Sequence, residues 1–189
     1  MLKNLYFVLW ILLQLFIKIN YGYDDYTATF IDDKLYFLGI GEFFYLDFSN
    51  SFNTHSLLLN NFSDTSPIYV VASSAKGGIN NDTLFCIAIE FAKETLSVHT
   101  FDFQSSRWKD PSIKGGDNVI GKLFFESVSD YNGKIYMFGG FISKLGFLND
   151  MIILNTINLS WEYGSYGPTE LSSYGAVFLP NQNIIYIGK

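Results

Sequence analysis

The amino-acid sequence predicts an all-β protein, and three observations support this prediction. Aromatic residues make up 19% of the 189 residues, and Ile, Leu and Val occur in short clusters rather than at long helical spacing. Aromatic and β-branched side chains fit the pleated, half-buried surface of a β-sheet. An apolar segment also recurs about every 50 residues, and each copy follows a polar turn, which favours repeated strands over helices.

The N-terminal segment predicts export from the cell. Lys3 precedes a nearly uninterrupted apolar stretch that begins at Leu5 and ends before Lys18. This stretch has the length of a signal-peptide core, whereas a membrane-spanning helix needs about 20 apolar residues. We therefore expect residues 1–22 to be a cleaved signal peptide and the protein to be secreted. A membrane anchor formed by residues 5–17 stays open as the alternative.

The charge of the chain argues against nucleic acid as a partner, and its modification motifs agree with secretion. The formal net charge is -6, and the sequence has no run of five or more Lys or Arg residues. Nucleic-acid binding is not expected, because contacts to phosphates need a basic surface. Three Asn-x-Ser/Thr triplets agree with a secretory route. The candidate N-glycosylation sites are Asn61, Asn81 and Asn158.

Each repeat has a polar turn, and in three of the four repeats a short apolar strand precedes it. Such strands are predicted at residues 27–31, 126–129 and 175–179. Asp, Asn and Gly adopt tight-turn conformations at little cost, so a hairpin is expected after each strand. The predicted turns are Asp32-Asp33-Lys34, Asn80-Asn81-Asp82, Asn132-Gly133-Lys134 and Pro180-Asn181-Gln182.

An apolar tripeptide follows each turn and predicts a second strand. The tripeptides start 49, 51 and 50 residues apart, and they are Leu35-Tyr36-Phe37, Leu84-Phe85-Cys86, Ile135-Tyr136-Met137 and Ile185-Tyr186-Ile187. A third apolar run then closes on Asp or Asn, with an aromatic residue five or six positions later. These pairs are Asp47 with Phe52, Asp102 with Trp108, and Asn155 with Trp161. Because they occupy equivalent positions, we expect Trp108 and Trp161 to pack one repeat against the next rather than to bind a sugar.

The third repeat resembles the kelch family. It runs from Asn132-Gly133 through Tyr136 to the doublet Gly139-Gly140, then to Leu148-Asn149-Asp150 and Trp161. The resemblance implies a four-stranded antiparallel blade in which the glycine pair allows the backbone to bend where neighbouring blades crowd. The family's Tyr before Trp161 is replaced by Ile152. The first two repeats have Gly39-Ile40-Gly41 and Ala88-Ile89 in place of the doublet.

The resemblance implies an incomplete kelch-type β-propeller over residues 23–189. The repeats fall at about 24–66, 67–120, 121–170 and, in part, 171–189. Propellers close with about 4 to 8 blades, so three blades and the start of a fourth predict an N-terminal fragment that continues beyond residue 189. The alternative is a short protein that completes itself by self-association through the open blade edge.

Catalytic chemistry is not expected from these residues. Some secreted kelch-type propellers carry a copper-radical oxidase site, which needs imidazole ligands and a tyrosine joined to cysteine. Only His55 and His99 are present, and the apolar neighbours of Cys86 predict a small buried side chain rather than a reactive thiol. Motifs typical of hydrolases, zinc sites and phosphate loops do not occur. No catalytic, metal-binding or cofactor-binding residue is assigned, and no cofactor is predicted.

The leading functional hypothesis is therefore a secreted, non-enzymatic scaffold. Loops on a rigid repeat frame commonly carry binding functions, and the variable loops 141–149, 76–82 and 109–122 would present a surface to a protein or glycan ligand. A second hypothesis is the N-terminal part of a secreted copper-radical oxidase whose active site lies in missing sequence. A third is a truncated gene product without a stable role. The sequence does not identify the ligand.

Overall fold

The computed structural model describes residues 26–49, 58–62, 71–115 and 119–188, and its described residues form β-strands, turns and loops. The predicted signal peptide at residues 1–22, His55 and Phe52 lie outside the described residues. No helix in the described part of the chain has the length and apolar character needed to cross a bilayer. The prediction of an all-β fold is confirmed.

Most of the described strands belong to three four-stranded antiparallel sheets, each of which follows chain order. The first sheet contains β1 (Thr27–Ile31), β2 (Lys34–Gly39), β3 (Glu42–Asp47) and β4 (Asn60–Asn61). The second contains β5 (Val71–Gly77), β6 (Thr83–Glu90), β7 (Thr95–Asp102) and β8 (Arg107–Lys109). The third contains β9 (Ser127–Ser129), β10 (Lys134–Phe138), β13 (Met151–Asn155) and β14 (Ser160–Tyr163).

Two hairpins complete the described strands. β11 (Phe141–Ile142) and β12 (Gly146–Phe147) form a small hairpin between β10 and β13. β15 (Gly175–Phe178) pairs with β16 (Ile184–Ile187) as a separate two-stranded sheet. The small hairpin falls in the segment that the sequence predicted only as a variable loop.

The apolar tripeptides all lie in the second strand of their sheet. They occupy β2, β6, β10 and β16, as their spacing predicts. The first three of these strands are largely buried, because each lies between two partner strands of its own sheet and under a neighbouring sheet. Trp108 and Trp161 lie in the outer strands β8 and β14. In the first sheet the outer strand is at residues 60–61, and the aromatic residue predicted after Asp47, Phe52, lies outside the described residues.

The first strands of successive sheets lie side by side. β5 contacts both β1 and β9, and β9 also contacts β15. Small hydroxyl side chains bridge the neighbours, since Thr29 Oγ1 lies 2.7 Å from Ser74 Oγ and the backbone amide of Ser127 donates to Ser73 Oγ at 2.9 Å. Buried hydroxyl groups are satisfied in this way while the strands approach closely.

Apolar cores fill the spaces between the sheets. Between the first and second sheets, Phe43 contacts Phe101 and Trp108 with ring centroids 4.8 and 5.2 Å apart. Cys86 is fully buried in the same core, as its apolar neighbours predict, and burial raises the pKa of its thiol. A larger core between the second and third sheets includes Ile87 and Leu154. Burial of apolar surface between successive sheets is the main stabilising contribution.

The turns lie at two opposite ends of the sheets. At one end, the side-chain amide of Asn81 donates to the carbonyl of Tyr131 at 3.3 Å, which joins the β5–β6 and β9–β10 turns. At the other end, the backbone amide of Gly121 donates to the carbonyl of Glu94 at 2.8 Å. We call this second end the loop rim, and it consists of residues 91–94, 119–124 and 141–147. Of the three predicted binding loops, 141–149 reaches the rim, 109–122 contributes its residues 119–122 to it, and 76–82 lies at the opposite end.

Candidate functional site

Exposed apolar side chains characterise the loop rim. Phe91 and Leu145 are each 64% exposed, Phe147 is 52% exposed, and Ile120 and Phe124 are 49% and 45% exposed. Single exposed apolar residues are ordinary on protein surfaces, but several on connected loops are typical of an interaction site. The rim is therefore the candidate binding surface of the described chain.

Polar contacts fix the rim loops to one another. Lys144 Nζ lies 2.6 and 2.7 Å from the two carboxylate oxygens of Glu94, so the β11–β12 hairpin is joined to the β6–β7 turn. Leu123 and Phe141 exchange backbone hydrogen bonds of 2.9 and 2.8 Å. The Phe141 ring contacts the ring of Phe147 at 5.2 Å. Loops held in this way present their exposed side chains in a fixed arrangement.

An ion pair joins a buried lysine of the rim to a partly exposed aspartate. Lys122 is 1% exposed, and its ammonium group lies 3.0 Å from Asp150 Oδ1. Burial lowers the pKa of Lys122, and the charge of Asp150 opposes this effect. The Lys122 ammonium also lies 5.7 Å from the centre of the Phe125 ring. The ion pair joins the segment after the second sheet to Asp150, the residue directly before β13 of the third sheet.

The glycine doublet lies where three chain segments meet. Gly139 and Gly140 have φ angles of 59° and 99°, in the region that residues with a Cβ rarely adopt. A Cβ on Gly139 would lie 2.3 Å from the carbonyl oxygen of Leu171, and one on Gly140 would lie 2.8 Å from that of Leu123. The backbone amide of Gly140 also donates to Leu171 at 2.8 Å. Glycine is required here by conformation and by space.

A second concave feature opens at the edge of β7. This edge cleft encloses about 300 Å³ and is lined by Glu90, Leu96–His99, Asp110, Pro111, Ile113 and Trp161. His99 Nδ1 lies 2.6 Å from Asp110 Oδ1, and His99 Nε2 lies 3.1 Å from Ser97 Oγ. Both ring nitrogens of His99 therefore have hydrogen-bond partners, as expected for a strand histidine that is satisfied by its neighbours.

The remaining repeat positions have packing and hydrogen-bonding contacts. Trp108 packs between the first and second sheets, and its ring centre lies 5.1 Å from that of Phe101. Trp161 is 8% exposed in the core between the second and third sheets. The Tyr136 hydroxyl donates to Asp130 Oδ2 at 3.1 Å. Burial, with the nearby charge of Asp130, raises the pKa of Tyr136 to about 12.

The three glycosylation candidates differ in their environment. Asn158 is exposed, and its side-chain oxygen accepts a hydrogen bond of 2.6 Å from Ser160 Oγ. Asn61 is exposed in the short strand β4. The side-chain nitrogen of Asn81, which is the atom that a glycan would occupy, donates to the Tyr131 carbonyl. The folded chain therefore presents Asn61 and Asn158 more openly than Asn81.

The described residues contain no cluster of metal-ligating side chains. Within residues 26–49, 58–62, 71–115 and 119–188, no three His, Cys, Asp or Glu side chains lie close enough to hold a metal ion. Asp32 and Asp33 form the β1–β2 turn with φ angles of 46° and 59°, so their side chains belong to a solvent-exposed hairpin. Lys76-Gly77-Gly78 ends β5 and enters the next turn, where Gly78 has a φ of 85°.

Sequence reasoning missed the polar partners that define both candidate surfaces. Ser97 and His99 alternate along a strand, which is a visible signal that they share a face. Asp110 carries no such signal, because only the β7–β8 hairpin brings it to His99. Glu94 and Lys144 are 50 residues apart, and no local pattern joins them.

The fold and sites define an all-β protein built from successive antiparallel sheets, and comparison with known proteins agrees at the level of fold. No family model and no curated protein matches the chain. The fold matches 115 solved chains. One of them, titled "Structure of YjhT", is 13% identical with a TM-score of 0.59, and the match covers 83% of this chain. This chain spans 54% of that protein, and at this identity the similarity concerns the fold alone.

Proposed function

We propose that this chain is a segment of a kelch-type β-propeller that acts as a secreted scaffold and binds a protein through the loop rim. The four-stranded antiparallel sheets, their side-by-side first strands and the crowded glycine doublet support the propeller arrangement. The apolar segment at residues 5–17 supports secretion.

The exposed apolar side chains of the rim carry this proposal. Phe91, Leu145 and Phe147 are more than half exposed, although they lie on loops that the Glu94–Lys144 ion pair and backbone hydrogen bonds hold together. A surface that is already ordered loses little conformational entropy when it binds, so more of the apolar burial appears as affinity.

The chemistry of the rim favours a protein over a glycan. Its exposed Phe, Ile and Leu side chains have no hydrogen-bonding groups, whereas glycan recognition needs polar contacts to hydroxyls. Apolar anchors surrounded by charged residues, such as Lys93 and Glu94, match the usual composition of protein interfaces. The negative net charge of -6 also disfavours an anionic polymer as partner.

Site-specific photo-cross-linking tests the proposal. The photoreactive residue p-benzoylphenylalanine would replace Leu145 on the rim in one variant and Ile79 in another. Ile79 is a matched control because it is 79% exposed at the opposite end of the sheets. In the secretory pathway of the source cell, we expect a single protein to be captured from position 145 and not from position 79.

Affinity measurements with the captured partner complete the test. Leu145→Asp should weaken binding at least about tenfold, because a charge would replace an apolar side chain that the partner buries in the complex, while Ile79→Asp should leave affinity unchanged. Equal cross-linking from both positions would contradict the proposal. So would binding to a glycan array that Leu145→Asp leaves intact.

A further inference from the structure

The edge cleft contains three side chains in the order that serine hydrolases use. Ser97 Oγ lies 3.1 Å from His99 Nε2, and Asp110 Oδ1 lies 2.6 Å from His99 Nδ1. A carboxylate on Nδ1 fixes the proton there and leaves the Nε2 lone pair directed at the serine hydroxyl. We propose that Ser97 is a nucleophile activated by His99 and that the edge cleft hydrolyses small, uncharged carboxylic esters.

The local fold explains how the three residues meet. Ser97 and His99 are two positions apart in β7, so their side chains point to the same face of the sheet. Thr100 pairs with Lys109 in the β7–β8 ladder. The next positions along the two strands, His99 and Asp110, therefore lie opposite each other. A hairpin with one fixed register is enough to build the arrangement.

The edge of β7 gives a substrate access to Ser97. β8 pairs with β7 only from Thr100 to Asp102, and a single bridge joins Thr95 to Ile120. Between these contacts the cleft is lined by residues from both faces of β7, which places its opening at the strand edge. A substrate can reach this gap without displacing a paired strand.

A backbone donor adjoins the proposed nucleophile. The amide of Leu96 donates outward to Val119 at 3.0 Å, and backbone groups alternate in direction along a strand. The amide of Val98 therefore points to the same edge, directly after Ser97 in the chain. The amide that follows the nucleophile is a common oxyanion donor in serine hydrolases, where it stabilises the charge formed during attack.

The cleft lining sets the class of substrate. Pro111, Ile113 and Trp161 supply an apolar wall that fits a short acyl or aryl group. Glu90 and Asp110 line the same cleft, and their negative charge opposes an anionic ester. The volume of about 300 Å³ lies at the small end of the range for ligand pockets, so a small, uncharged ester is the fitting class.

The reaction proceeds in two balanced halves. Ser97 Oγ attacks the ester carbonyl carbon while its proton passes to His99 Nε2, and the C–O bond breaks as the alcohol leaves with that proton. Water then attacks the acyl–Ser97 carbonyl and gives a proton to His99. The acid leaves as this proton returns to Ser97 Oγ. The net change is ester plus water to acid plus alcohol, without an oxidant or a metal.

Labelling with a fluorophosphonate probe, followed by peptide mapping of the intact chain, tests the nucleophile. We expect the probe to modify Ser97 at least about tenfold faster than Ser105, which is exposed in the β7–β8 turn, where its backbone amide donates to Asp102 and no described histidine contacts its hydroxyl. His99→Gln should remove this preference, because a serine without a base is a weak nucleophile. Equal labelling of Ser97 and Ser105 would overturn the proposal.

Hydrolysis of p-nitrophenyl acetate and p-nitrophenyl butyrate tests turnover. Ser97→Ala should abolish hydrolysis above the buffer rate, and Ser105→Ala should leave it unchanged. Asp110→Asn keeps a hydrogen-bonding group next to His99 Nδ1, so a contact that serves only the structure would survive. If the carboxylate instead holds the proton on Nδ1, kcat should fall at least about tenfold, because the asparagine no longer fixes that tautomer of His99. Turnover that persists in Ser97→Ala, or that is unaffected by Asp110→Asn, would also overturn the assignment.

Discussion

At the scale of single residues, the glycine doublet connects backbone conformation with sheet packing. Gly139 and Gly140 both have positive φ angles, and both face carbonyl oxygens of the segments that enter and leave the third sheet. The family pattern pointed to these glycines from the sequence. Their neighbours Leu123 and Leu171 could not be predicted, because they follow from how two connecting segments cross the end of β10.

Substitution of Gly140 separates conformational strain from crowding. Gly140→Ala should lower the free energy of unfolding by about 3 kcal/mol or more, since a left-handed backbone costs a residue with a Cβ about 1–2 kcal/mol and the new methyl also meets the Leu123 carbonyl. Gly146→Ala is the matched control, with a φ of 85° and open space around its Cβ position. It should cost about 1 kcal/mol. Urea unfolding followed by tryptophan fluorescence measures both.

The comparison between these two variants decides the outcome. If Gly140→Ala and Gly146→Ala lowered stability equally, the positive φ angle alone would explain the doublet. The close approach of Leu123 would then be irrelevant to stability. A larger loss for Gly140→Ala shows that the meeting of chain segments at the end of β10 requires glycine.

At the scale of elements, the positions of the strands followed from the sequence, but the contacts between loops of different sheets did not. Apolar runs bounded by turn residues predicted β1, β2, β6 and β10 closely, because a strand needs only local alternation and a turn. The β11–β12 hairpin differed from expectation, because the sequence predicted only a loop at residues 141–149. Each of its strands is only two residues long, too short for a visible alternation, and its position depends on contacts with residues distant in the chain, such as those of Lys144 with Glu94 and Phe141 with Leu123.

The Lys122–Asp150 ion pair is one such contact. Removing Asp150 should cost more stability than removing the charge of Lys122. Asp150→Ala leaves a buried ammonium without its partner and should cost about 3–5 kcal/mol. Lys122→Met removes the charge but retains most of the apolar stem, so the loss should be below about 1.5 kcal/mol. The double variant should be more stable than Asp150→Ala alone. Thermal and urea unfolding of the three variants test this order.

Two results would contradict this view of the ion pair. A smaller loss for Asp150→Ala than for Lys122→Met would mean that the Lys122 ammonium reaches water easily. Additive losses in the double variant would mean that the two side chains do not interact in solution. Either result would mean that the ion pair does not stabilise the contact between the rim segment and Asp150, the residue that precedes β13.

At the scale of the whole molecule, the repeat explains why the fold was more predictable than the edge cleft. The pattern of a polar turn followed by an apolar strand occurs four times at a period of about 50 residues. Each copy supports the assignment of strands in the others. The Ser97–His99–Asp110 cluster occurs once. His99 looked isolated in the sequence because its carboxylate partner lies 11 residues away and reaches it only through the β7–β8 hairpin register.

Buried tyrosines distributed over the sheets predict that the whole fold weakens at alkaline pH. Burial raises the pKa of Tyr36 and Tyr186 to about 12 and raises that of Tyr174 further above its ordinary value of 10.0. Above about pH 10 the tyrosines of the unfolded chain lose their phenolic protons, whereas those of the folded chain retain them. The stabilising contribution is therefore complete below about pH 10 and is lost as the pH rises toward 12.

Tyr174→Phe tests this linkage at one fully buried ring. Tyr174 is 1% exposed, and its hydroxyl donates to the carbonyl of Phe138, so the variant should be less stable at pH 7 by about 1 kcal/mol. Its stability should nevertheless fall less steeply above pH 10, by up to about 1.4 kcal/mol per pH unit. Burial lowers the pKa of Lys122, and this also changes stability with pH. Lys122 is present in both the wild type and the variant, so its effect cancels when the two are compared.

Tyr166→Phe is the control, because this ring is 78% exposed, and its profile of stability against pH should match that of the wild type. Urea unfolding between pH 7 and pH 11 measures the difference, and parallel profiles for the wild type and Tyr174→Phe would show that the Tyr174 phenol ionises as readily in the folded chain as in the unfolded one.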